Sequence, residues 1–120
     1  MSYLNKRKKA FGYAGSGLWR MLRHEAHAQI HLVAAVAVIV AGFIFDISAV
    51  EWCLVILCIG TVFMAEAFNT ALEKLADRVS PEFHPLVGAA KDVAAGAVLV
   101  MSIAAAAVGL IIFLPKLLST

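Results

Sequence analysis

Glu66, Asn69, Glu73 and Asp77 recur at intervals of three or four inside a stretch that is otherwise rich in apolar residues, MAEAFNTALEKLAD. At about 100° per residue these four positions share one face of a helix. The apolar run that leads into them is long enough to enter a membrane, where a carboxylate costs roughly 3 kcal/mol or more and is retained for a purpose. Glu66 and Glu73 offer free oxygens of the kind Mg²⁺ takes, one or two at a time, completing its shell with phosphate and water. A further carboxylate is available as a general base. The same spacing equally suits a structural polar seam in which Glu66 and Asn69 hydrogen-bond across a helix bundle. Glu25 precedes the first apolar block and is placed to approach this face from a neighbouring helix. Lys91 and Asp92 open the last apolar block. A lysine there meets a phosphate as a point charge near helix N-terminal donors, or else snorkels beside a helix-starting aspartate.

The histidines are less specific. His27 and His31 stand at i, i+4, a spacing open to a transition metal, although isolated pairs at a membrane surface more often serve as interfacial polar groups. His84, in PEFHP, is a loop residue beside the polar face. No P-loop, kinase-type glycine-rich loop or zinc spacing is present, so phosphoryl transfer on this chain requires a different construction. Cys53 and Cys58 are five residues apart, on different faces of a helix, and read as small apolar side chains.

The elements that must position these residues follow from hydropathy. Of 120 residues, 62% are hydrophobic, against about 45–50% in soluble domains. The mean hydropathy is +0.90. The reading is an all-α membrane protein forming a single domain over residues 1–120, with membrane helices at 26–45, 52–76 and 91–114. Residues 1–25 read as an amphipathic surface helix: Phe11, Leu18, Trp19 and Leu22 interleave with Lys9, Arg20 and Arg23. Gly12, Gly15 and Gly17 weaken a continuous helix there and predict a bend. Asp46, Ser48 and Glu51 make a tight turn, DRVSPEFHPLVGA reads as a loop, and Pro115 with Lys116 ends the last helix. No cleavable secretory signal is apparent.

Lys6, Arg7, Lys8, Lys9, Arg20 and Arg23 precede the first span, and Lys74, Arg78 and Lys91 flank the later loop, while the turn between the first two spans has no Lys or Arg. This predicts a cytoplasmic N-terminus and an outer C-terminus. The polar face then lies in the cytoplasmic half of the second span. Small residues crowd the first and third spans and permit close helix contact. Three helices offer little interior to shield several carboxylates, so self-association is expected. No nucleic-acid partner is expected.

EAFNTALEKLAD, followed by EFHPLVGAAKDVAAGAVLV, resembles the prokaryotic diacylglycerol kinase family, small integral-membrane lipid kinases with the pattern E-x-x-N-[ST]-A-x-E-x-x-x-D, a short loop with His, then A-K-D. The likeness extends over nearly the whole chain. It implies a homotrimer in the bacterial inner membrane, each subunit with three spans and a surface helix, and active sites shared between subunits at the cytoplasmic interface. It implies ATP as co-substrate and Mg²⁺ as cofactor. Carried over by position, Glu66 is the general base on the lipid hydroxyl and so contacts substrate, and Asn69 orients the reacting groups. Glu25 and Glu73 hold Mg²⁺ on the ATP phosphates. Lys91 contacts phosphate with Asp92 beside it, and Glu82, His84, Tyr13 and Lys6 lie near the nucleotide.

The chain departs from some proteobacterial members at Gly15 (Trp there), Lys6 (Arg) and His31 (an acid). His31, VEW at 50–52, FHPLVGAAKD, AAGAVL and IIFLPK resemble the branch that phosphorylates undecaprenol. The expected reaction is therefore undecaprenol to undecaprenyl phosphate, with diacylglycerol to phosphatidic acid as the alternative. A membrane scaffold or proton-relay protein using the same carboxylates is the rival of another class.

Overall fold

The structure is a computed structural model describing residues 2–119. Its described residues form four helices: α1 (Tyr3–His24), α2 (Ala26–Ile44), α3 (Ala49–Val79) and α4 (Pro85–Leu118). The last three are long and apolar enough to cross a membrane. They run as an antiparallel series. α3 packs most extensively on α4, less on α2, while α1 touches only the ends of α2 and α3.

One residue separates α1 from α2. Glu25 is extended (φ −100°, ψ 119°) and serves both helices as a cap. Its N–H donates to the Met21 carbonyl at 2.9 Å, and its carbonyl accepts from the Gln29 N–H at 3.1 Å. The Gln29 side-chain amide donates back across the junction to the Arg23 carbonyl at 2.9 Å. The glycines of α1 do not interrupt it. The helix continues through Gly12, Gly15 and Gly17, since each costs only about 1 kcal/mol in a helix whose backbone bonds stay intact.

The α2–α3 connection is tighter than its polar composition alone requires. Asp46 takes a left-handed conformation (φ 50°), tolerated by a short acid. The Ile47 N–H then returns to the Gly42 carbonyl at 3.1 Å, and Ile47 is buried. Ser48 and Glu51 close a capping box over the start of α3. Ile47, Val55 and Ile112 form the core cluster, with Phe45, Trp52 and Phe113 packed against it. Lys116 donates to Glu51 at 2.9 Å and ties the end of α4 to the start of α3.

The second loop is shorter than the sequence predicts, because α3 runs to Val79 and α4 begins at Pro85. Pro85 occupies the first turn, where the missing N–H costs no bond. Pro115 does not end α4, which continues to Leu118; a proline this close to a terminus forfeits one helical bond. Most large apolar side chains, including Val33, Val40, Ile56, Leu57, Leu99 and Ile111, remain exposed, as expected of surfaces that face lipid or other subunits.

At Gly42 the α2 backbone meets the Trp52 ring of α3 closely. A Cβ there would lie 2.6 Å from Trp52 Cη2, and the Trp52 ring is itself held against Phe43 (centroids 4.9 Å apart). Gly42→Ala is therefore expected to destabilise the protein by about 1–3 kcal/mol. Gly60→Ala, in open space, is the control: it removes only the helix cost of glycine, so stability should hold or rise by up to about 1 kcal/mol. Denaturation in detergent micelles measures both, and an unchanged Gly42→Ala transition would show that Trp52 yields at little cost.

Candidate functional site

The buried stripe of α3 is Val55, Val62, Glu66 and Thr70. Its helical spacing is uninterrupted, but its chemistry changes from apolar to polar at residue 66. Glu66 is 3% exposed, and Thr70, four residues on, continues the buried face. Asn69 stands beside them, its Oδ1 buried with no hydrogen-bond partner among the described residues. One such atom costs about 1–3 kcal/mol, so it is a candidate acceptor for a donor from outside the subunit.

Farther along the same face come Glu73 and Asp77, progressively nearer the surface. Asp77 pairs with the Lys91 ammonium of α4. Glu73 is the next acid within reach of the Lys91 charge. Glu25, from the α1–α2 junction, makes no side-chain bond to its own helix; its carboxylate lies 3.5 Å from Lys74 Nζ. The antiparallel packing thus gathers Glu25, Glu66, Asn69, Glu73, Asp77 and Lys91 at one end of the molecule, drawn from α3, α4 and the α1–α2 junction. The core cluster and the Glu51–Lys116 pair occupy the other end.

The remaining sequence candidates are not joined to this group. Lys6 and Tyr13 are exposed on α1, and Asp92 is exposed on α4. His84 Nδ1 accepts from the Leu86 N–H at 3.2 Å and caps α4. The Glu82 carbonyl accepts from Ser80 Oγ at 2.9 Å; its side chain is exposed in the loop. Among the described residues, no three His, Cys, Asp or Glu side chains converge as a metal cluster. Glu25 and Glu73 come from adjoining segments and supply hard oxygen donors. That set fits an Mg²⁺ ion whose other ligands are phosphate and water oxygens.

Two contacts were missed by reading helical faces alone. His31 Nε2 of α2 lies 3.6 Å from Glu66 Oε2, and Lys74 meets Glu25. Their signal was positional: His31 is six residues beyond Glu25 and Glu66 eight before Lys74, so one antiparallel register satisfies both pairs. Below His31 an open cavity of about 510 Å³ lies between α2, α3 and α4. It is walled by Ala35, Val62, Phe63, Ala105 and Gly109, among others, with His31 at its edge. Val62 and Phe63 are one turn from Glu66, so the carboxylate sits where the polar cluster meets the apolar cavity.

The arrangement combines a buried carboxylate, further carboxylates for a cation and a lysine for an anion, all beside a hydrocarbon-lined space. Residues 12–113 match the prokaryotic diacylglycerol kinase family model. Undecaprenol kinase of Bacillus subtilis is 46% identical over 114 residues, which is 95% of this chain and 93% of that protein. A diacylglycerol kinase of Synechocystis is 39% identical over 92% of this chain and 63% of its own length. That of Escherichia coli K12 is 35% identical over 81% of this chain and 80% of its own. With three apolar helices and these relatives, the chain is a multi-pass membrane protein and belongs to the prokaryotic diacylglycerol kinase family.

Proposed function

We propose that the protein is a lipid kinase that transfers the γ-phosphoryl group of ATP to the primary hydroxyl of undecaprenol, releasing ADP and undecaprenyl phosphate. The observation that carries this reading is the position of Glu66, buried at the junction of a carboxylate-and-lysine cluster with an apolar cavity. A long-chain alcohol placed there keeps its hydrocarbon in the cavity or the lipid around it and brings its hydroxyl to the carboxylate. The hydroxyl oxygen attacks the γ-phosphorus, the bond from that phosphorus to the β–γ bridging oxygen breaks, and the hydroxyl proton passes to Glu66. Asn69 Oδ1, without a partner of its own, orients the acceptor or the phosphoryl group.

Glu25 and Glu73 would hold Mg²⁺, which supplies charge neutralisation on the ATP phosphates. Lys91 contributes a positive charge for phosphate on leaving Asp77. Glu82, His84, Asp92, Tyr13 and Lys6 belong to the nucleotide side. Positioning and charge neutralisation of this sort suffice for phosphoryl transfer. The site works at the inner membrane's cytoplasmic face, with the N-terminus inside and the C-terminus outside, because the basic residues gather at the site end of the molecule. α1 lies along that surface. A homotrimer completes the site, since one thin subunit leaves Glu25 and Glu73 partly open to neighbours. Undecaprenol is favoured over diacylglycerol because the Bacillus subtilis relative matches over more of both chains than the diacylglycerol kinases do.

Radiolabelled ATP offered to the purified protein in mixed micelles containing both alcohols should label undecaprenyl phosphate. Label chiefly in phosphatidic acid would reassign the acceptor, and label in neither would defeat the kinase reading. Glu66→Gln should lower kcat by about 10²–10⁴-fold, the usual contribution of a general base, with assembly unchanged; full activity in that variant would remove Glu66 as the base.

Asn69→Leu should separate function from stability. It removes an unpaired buried acceptor, so unfolding should be unchanged or up to about 1 kcal/mol harder, while phosphoryl transfer is lost. A clear loss of stability would mean that Asn69 has a structural partner in the assembled protein.

A further inference from the structure

Toward the surface from Glu66 stand Lys74 of α3 and Lys91 of α4, which already pair with Glu25 and Asp77. Toward the apolar cavity its one charged or chargeable contact among the described residues is His31. The 3.6 Å separation is beyond a direct hydrogen bond but within the reach of a charge contact. The imidazole is also constrained. Its ring stands edge-on to Phe63 of α3, with centroids 6.5 Å apart and planes at 77°, and its side chain is only 18% exposed. His27 lies one turn before it on α2 and is exposed, and Ser102 of α4 borders the same cavity.

We propose that His31 is the positioning residue of Glu66. Resting on the kinase reading above, it adds a part for a side chain to which that reading gives none. The ring edge bearing Nε2 draws the carboxylate toward the membrane side of the site and away from the lysines of the nucleotide side. The base is thereby held where a lipid hydroxyl arrives instead of where phosphate binds. Phe63 keeps the ring in place, and α2 keeps it at the cavity edge. His31 itself exchanges no proton with substrate and bonds neither lipid nor nucleotide.

Two substitutions separate this role from packing. His31→Phe preserves an aromatic ring against Phe63 but removes the polar edge. His31→Gln preserves a polar donor but removes the ring. The proposal predicts that His31→Phe lowers kcat by about 10- to 100-fold, as for a misplaced catalytic group, with the KM for Mg·ATP changed by less than about twofold. His31→Gln should keep kcat within about threefold of the parent. The opposite ranking, with Phe active and Gln impaired, would show that His31 only packs. Two fully active variants would equally overturn the proposal. Should His31→Phe fail to fold, His31→Met supplies an unbranched side chain lacking a polar edge and is read the same way. A parent protein that phosphorylates no lipid would sink the kinase reading and this proposal together, whereas variants that fail these predictions beside an active parent would sink only this one.

Discussion

A carboxylate buried inside an apolar helix bundle is the constraint from which the rest of this structure follows. Glu66 is 3% exposed, and nothing in ordinary packing repays the cost of an ionisable group at that depth. Its surroundings reduce that cost in steps: a histidine at the cavity edge, a buried threonine and an asparagine one turn on, then carboxylate–lysine pairs toward the surface. The polarity rises along a single stripe of α3. The helix therefore carries apolar core positions over its first half and the candidate site residues over its second, within one continuous α-helix.

The two ends of the molecule divide the labour accordingly. At the Asp46 turn, a left-handed residue, a capping box, the Gly42–Trp52 contact and the Glu51–Lys116 pair fix how α2, α3 and α4 are set against one another. At the other end Met21, Ala28, Glu66 and Thr70 are buried, and the groups beyond them toward the surface are polar. The register established at the turn is what brings residue 31 to residue 66 and residue 25 to residue 74. The turn and the polar cluster thus lie toward opposite ends of α3 and are connected by one continuous helix.

Much of this was legible in the sequence because helical periodicity is strong. The 66–69–73–77 face, the three apolar blocks and the exceptional position of Glu25 all follow from spacing and hydropathy. The extent of the helices was less legible. Gly12, Gly15 and Gly17 read as a bend, and Pro115 as a stop, yet the backbone bonds of α1 and α4 absorb them. The DRVSPEFHPLVGA stretch read as loop along its whole length, but both its ends are helical and only residues 80–84 lie outside the helices. The pairing of His31 with Glu66 does not follow from the periodicity of either helix. It depends on the register between two helices, and that register is set at the turn, well away from both partners in the sequence.

Glu25 occupies the single residue between α1 and α2, and its carboxylate also reaches toward α3. Any change in the angle at which α1 meets α2 must pass through the φ and ψ of this residue, and the side chain has no cap bond of its own to hold it still. The tilt of the first helix and the placement of a site carboxylate are therefore one mechanical coordinate. On the proposed reading, in which α1 lies along the membrane surface, a force on that helix would reach the site as a displacement of Glu25, with no need of any intervening relay.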